Sequence, residues 1–139
     1  MTLSAISSVV KIPVLSMMEE TVNRISARQS PIGLLATRAT IRTKVYENGF
    51  AKKQISVILP DDADQEILTE VIMRVLSHGG KESAKAKLRK VVQNLKARGA
   101  RAIVLACTEL PLIVEPDYGL EVVDPTEILA RSCVALATS

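Results

Sequence analysis

Short apolar runs alternate along this chain with longer segments whose apolar residues recur at helical spacing, and that alternation constrains the fold more than any other feature. Pro-Ile-Gly-Leu-Leu-Ala at 31–36, Gln-Ile-Ser-Val-Ile-Leu at 54–59 and Ala-Ile-Val-Leu-Ala at 102–106 read as strands of a parallel sheet covered by helices. Two more short strands are expected at 11–15 and 121–123. Between them, Ser16 and Glu19 form a capping box that opens a helix to about Ser26, and Thr37 begins a helix running through Tyr46. Asp62 with Gln65 opens a helix whose Ile67, Leu68, Val71, Ile72 and Val75 share one face until Gly79 and Gly80 end it. The segment 81–98 follows with Leu88, Val91, Val92 and Leu95 as its buried stripe and Gly99 as its stop. Asp124-Pro-Thr-Glu127 supplies an N-cap, a proline at the first helical position and a glutamate at the third, starting a closing helix. The expected fold is α/β, a parallel sheet of about four strands flanked by helices.

At 139 residues the chain suits one compact core, burying roughly two-thirds of its unfolded surface. Aromatic residues are only 2%, so that core is aliphatic and base-stacking platforms for single-stranded nucleic acid are not expected. The net charge of +3 sits mainly in 81–101, where Lys81, Lys85, Lys87, Arg89, Lys90, Lys96 and Arg98 spread around the polar side of one helix. That is a solvated face without a nucleic-acid reading motif, and no nucleic-acid partner is expected. No run approaches the ~20 apolar residues of a membrane span, and Lys11 interrupts the only candidate leader. Cys107 and Cys133 do not make a disulfide framework, so a cytoplasmic setting is expected.

The strand at 102–106 delivers Cys107 into the polar turn Thr108-Glu109-Leu110-Pro111, where an α/β protein places a reacting group, because the carboxyl ends of parallel strands open onto the ligand crevice. Backbone N–H groups at such a turn favour a thiolate, and Thr108 is placed to donate a hydrogen bond to it. Cys133 shares one face of the last helix with Ile128, Leu129, Ser132 and Leu136 and is expected to pack against a core.

Four blocks carry a resemblance: Ile12-Pro-Val-Leu-Ser-Met-Met-Glu-Glu-Thr21, Gly33-Leu-Leu-Ala-Thr-Arg-Ala-Thr40 with Tyr46-Glu47, Ala106-Cys-Thr-Glu-Leu110, and Val123-Asp-Pro-Thr126. In this order they resemble the aspartate/glutamate racemase superfamily, and among its members the aspartate racemases. The resemblance implies two similar α/β lobes with a substrate cleft between them that holds one cysteine from each lobe. It implies cofactor-independent racemisation, in which one cysteine removes the Cα proton and the other returns a proton from the opposite face. Inverting a stereocentre without a cofactor requires an acid and a base on opposite faces, and a thiol can serve as either.

Carried onto this chain, the resemblance makes Cys107 the catalytic residue. It makes Thr37, Arg38, Thr40, Thr108 and Glu109 substrate-binding, with an acidic amino acid as substrate and no metal or cofactor. The threonines would receive the α-carboxylate, although plain N-capping needs the same residues. Arg38 replaces a small residue of the Thr-x-Gly-Thr pattern and could take a side-chain carboxylate bidentately. Relatives often carry a lysine where this chain has Ser77-His78, which makes His78 a possible anion contact. The chain is expected to be one lobe of the two-lobe fold: 1–30 resembling the end of a first lobe, 31–122 the lobe bearing Cys-Thr-Glu, and 123–139 a helix that would pack on the first lobe. The first lobe and its Cys-Asn-Thr motif would precede Met1 in a full-length relative. A homo-oligomer, or a partner supplying that lobe, is therefore expected. The alternative is a binding or interaction module that keeps the lobe without the chemistry.

Overall fold

The computed structural model describes residues 2–139. Strands β1 (Ile32–Ala36), β2 (Val57–Ile58), β3 (Ala102–Ala106) and β4 (Glu121–Val123) form one sheet in the order β2-β1-β3-β4, each neighbouring pair parallel. The helices are α1 (Leu3–Val9), α2 (Met17–Arg24), α3 (Arg38–Thr43), α4 (Val45–Lys52), α5 (Asp62–Leu76), α6 (Lys81–Ala97) and α7 (Pro125–Ala137). The period of two along the strands divides the core. Leu35, Ile103 and Leu105 pack with Leu68 and Val71 of α5 and Leu88 and Leu95 of α6. Ile32, Leu34, Ala36, Ala102 and Val104 pack on the other face with Val22 of α2, Phe50 of α4 and Ile128 of α7. With helices on both faces, all five residues of β1 are buried.

Gly33 is fixed by close approach. A Cβ there would lie 2.6 Å from Ile103 Cδ1 and 3.1 Å from Leu95 Cδ1, so any larger residue would push the buried side chains of β3 and α6 out of place. The α5–α6 hairpin is tied by Asn94, whose Nδ2 donates to both carboxylate oxygens of Asp64 at 3.1 and 3.0 Å.

Several expectations are corrected. Residues 11–15 form no strand and pair with none, and a strand without a neighbour leaves its backbone groups unmatched. The unanticipated α1 buries no residue and is capped by Thr2, whose hydroxyl accepts from the Ala5 N–H. The helix expected from Thr37 through Tyr46 is two helices, because Lys44 adopts φ 54° between α3 and α4, and the second continues to Lys52. The strand expected at 54–59 shrinks to Val57–Ile58 on an edge, after Gln54 turns at φ 58°. Asp61, not Asp62, caps α5, accepting from the Asp64 N–H at 2.8 Å. Asp124 caps α7 through the Thr126 N–H, while Glu127 pairs with Arg131 instead of reaching back. Cys133 does not pack against a core: it is exposed on α7, beside a shallow hollow walled by Pro13, Leu15, Leu129 and Leu136.

Candidate active site

The chain runs from β1 outward to β2 on one side and then, through α5 and α6, back to β3 on the other. The carboxyl ends of β1 and β3 therefore border the point where strand order reverses, which is where open parallel sheets hold ligands. Ala36 and Ala106 are register partners, so Thr37 and Cys107 leave neighbouring strands at the same level, with the strands about 4.8 Å apart.

Cys107 is half-buried against the α5–α6 side of the core. Its Sγ donates to Glu109 Oε2 at 2.9 Å, and Thr108 Oγ1 donates to Glu109 Oε1 at 2.9 Å, so both oxygens of one carboxylate are occupied. Burial, and then the hydrogen bond to Glu109, push the thiol from 9.0 up to about 11, opposed by the backbone N–H groups of Glu109 and Leu110. The same hydrogen bonds hold Glu109 below the usual carboxylate range. The resting pair is thus thiol and carboxylate, whereas the turn alone leads one to expect a favoured thiolate. The causes are burial first and Glu109 second, and Thr108 serves Glu109 instead of the sulfur.

On the neighbouring strand, Thr37 caps α3. Its hydroxyl accepts from the Thr40 N–H at 3.2 Å and lies 3.1 Å from Thr40 Oγ1. Arg38 is exposed at the first position of α3 and without an ion-pair partner among the described residues. Gln65, read in the sequence only as part of a cap, proves to be a buried element of this region: its Nε2 donates to the carbonyl of Ala36, the last residue of β1, at 3.1 Å. Gln65 lies three residues before Leu68 and seven before Ile72, on the buried face of α5, and only the path of β1 beneath it reveals the contact. The structure does not join His78 to this group. His78 lies exposed in the α5–α6 turn at φ 55°, where its backbone N–H donates to Val75.

Among the described residues no group of three or more His, Cys, Asp or Glu could hold a metal ion, and no helix is long and apolar enough to cross a membrane. Much of the basic face of α6 is engaged: Lys85 with Glu82, Lys87 with Glu70, and Arg89 with Glu115. Arg98 Nη1 donates to the Leu59 carbonyl.

The family model described as Asp/Glu/Hydantoin racemase matches residues 1–133. A Pectobacterium carotovorum subsp. carotovorum protein, described as an uncharacterized protein in the pnlA 3′ region, is 37% identical over 111 residues, 78% of this chain and 73% of that protein. Solved structures share the fold. A candidate Asp/Glu racemase from Yersinia pestis superposes with a TM-score of 0.85 at 29% identity over 98% of this chain. An aspartate racemase homologue from Pyrococcus horikoshii OT3 gives 0.83 at 26% identity over 98%, and the Picrophilus torridus aspartate racemase 0.77 at 26% over 94%. The chain spans 61%, 61% and 55% of the lengths of these three structures, respectively.

Proposed function

The chain belongs to the Asp/Glu/hydantoin racemase family, and from that premise we propose that it carries one face of a cofactor-independent amino-acid racemase centre, with Cys107 as the acid or base that meets Cα. The observation that carries the reading is the placement of Cys107 beside Thr37 at the strand-order reversal, with Sγ already hydrogen-bonded to a carboxylate. The thiol holds its proton at rest, so Cys107 begins as the donor. A base on the opposite face takes the Cα proton, and the S–H proton of Cys107 passes to the planar carbanion, leaving a thiolate. Reversal returns that proton to sulfur. The N–H groups of Glu109 and Leu110 then receive the thiolate. Glu109, drawn to the substrate ammonium, releases the sulfur and lowers the cost of its ionisation.

The α-carboxylate docks at the Thr37–Thr40 turn, and Arg38 meets the far end of an acidic side chain. The group on the opposite face is not Cys133, which lies exposed on α7. It comes from a further lobe or a partner chain. Val9, Ile12 and Val134, exposed by 77%, 71% and 63%, offer apolar surface for such an association. A second reading, a binding module without chemistry, draws on the raised thiol.

Cα–H exchange in D₂O, followed by NMR on L- and D-aspartate and glutamate, tests the proposal. Exchange with inversion is expected when the opposite face is supplied, and Cys107→Ser is expected to abolish the inversion. Inversion that survives Cys107→Ser, or none with either enantiomer once the opposite face is supplied, overturns it.

A further inference from the structure

β2 accompanies β1 only at Ile32 and Gly33, so β1 runs three residues past its neighbour on that side. The Ile32 N–H donates to the carbonyl of Ser56, just before β2, at 2.9 Å. Backbone groups alternate from side to side along a strand, so Ala36, four residues on, turns its carbonyl to that same side, beyond the end of β2. Gln65 fills the place of the missing strand: from the first turn of α5 its Nε2 donates to that oxygen at 3.1 Å.

The donor is held firmly. Gln65 is 5% exposed, its backbone N–H donates to the Asp61 carbonyl at 2.8 Å, and its own carbonyl accepts from Thr69 Oγ1 at 2.9 Å. Its side chain comes at a cost, because Oε1 is enclosed without a hydrogen-bond partner among the described residues. Turning the amide around would set Oε1 against the Ala36 carbonyl, so only one orientation serves. Methionine would fill the same space and leave one acceptor unmatched as well, the Ala36 carbonyl in place of Oε1. The count of unmatched acceptors is therefore even, and what glutamine adds is direction.

That direction reaches the site. A planar trans peptide sets its C=O and N–H on opposite sides, so holding the Ala36 carbonyl towards α5 turns the Thr37 N–H away from β2, towards β3. Thr37 opens the turn capped through the Thr40 N–H and stands level with Cys107. We propose that Gln65 is a positioning residue of the centre: enclosed and meeting no substrate, it fixes the 36–37 peptide and so sets where the Thr37–Thr40 turn stands against Cys107. This role rests on the racemase reading of that turn.

Amide exchange and L-aspartate titration of the ¹⁵N-labelled 139-residue protein test it, with Gln65→Met and Gln65→Glu beside the parent. In Gln65→Met the urea midpoint is expected to stay at or above the parent's, while solvent exchange of the Thr40 amide rises at least threefold and aspartate binds at least fivefold more weakly. Gln65→Glu supplies a rescue that packing alone does not predict. At pH 5 a buried carboxyl keeps its proton and can donate to the Ala36 carbonyl, so this variant should bind aspartate within twofold of the parent while Gln65→Met stays weak. Parent-like Thr40 exchange and affinity in Gln65→Met, or equal losses in the two variants at pH 5, overturn the proposal. A parent that binds no aspartate counts against the racemase reading, and Thr40 exchange, which needs no ligand, then decides the role of Gln65 by itself.

Discussion

Replacing Glu109 by glutamine removes the charged acceptor of the Cys107 thiol while keeping the size of the side chain. In the parent, burial first and Glu109 second raise the thiol from 9.0 to about 11. At pH 8, therefore, about one chain in a thousand carries the thiolate, against about one in ten for an unshifted thiol. The Gln variant keeps the burial and loses the carboxylate, so its thiolate population at pH 8 should rise, by less than the hundredfold that separates about 11 from 9.0. The assay is the pH profile of iodoacetamide alkylation, read by mass spectrometry in a Cys133→Ser background, because exposed Cys133 otherwise dominates the signal. An unchanged profile in Glu109→Gln would refute the role of the carboxylate, and a parent profile matching a free thiol would refute the burial argument. The same shift has a stability consequence. Between pH 9.0 and about 11 the folded thiol keeps a proton that the unfolded one has lost. Folded chains then bind more protons, so stability falls as pH rises through that window, and Cys107→Ala should flatten this part of the curve.

Two further predictions concern the scaffold. Gly33→Ala drives a methyl into Ile103 and Leu95 and should cost about 1–3 kcal/mol in urea unfolding, and a variant within about 0.5 kcal/mol of the parent contradicts the packing argument. Lys53→Met removes an ammonium that donates to the carbonyls of Val22 and Ile25, both at 2.7 Å, at the end of α2. A loss of about 1–2 kcal/mol is expected, and an unchanged urea midpoint would show those carbonyls to be equally well served by water.

The parts of the fold legible in the sequence are those where one local rule suffices. The runs that became β1 and β3, the helix stripe Leu88, Val91, Val92 and Leu95, and the stop at Gly99, which takes φ 104°, follow from periodicity and turn chemistry. Residues 11–15 look like a strand because apolar composition says nothing about whether a neighbour exists to pair with. Cys133 shares a helix face with Ile128, yet the face turns away from the core before the helix ends, and periodicity cannot see how far a covering layer extends. At the candidate site, Cys107 and Thr37 were legible as residues at strand ends, and their common level was not, since register joins segments remote in sequence. The Glu109–Cys107 contact was hidden for a different reason: two residues apart, they meet only because Glu109 adopts helical dihedrals after the strand.

The register that sets Thr37 level with Cys107 also governs how the chain acquires its shape. β2 pairs with β1 across the two short helices α3 and α4, and β4 joins β3 after the segment 107–120, but β1 meets β3 only after α3, α4, β2, α5 and α6 have been threaded between them. This is the longest-range strand pairing of the sheet, and closing so large a loop is entropically unfavourable until the contacts on either side of it exist. During synthesis the wholly apolar β1 emerges well before its main partner and must wait with its edge unpaired. The step that completes the sheet thus assembles the two turns of the site, so a chain kinetically trapped before that step would contain most of its helices and none of its chemistry.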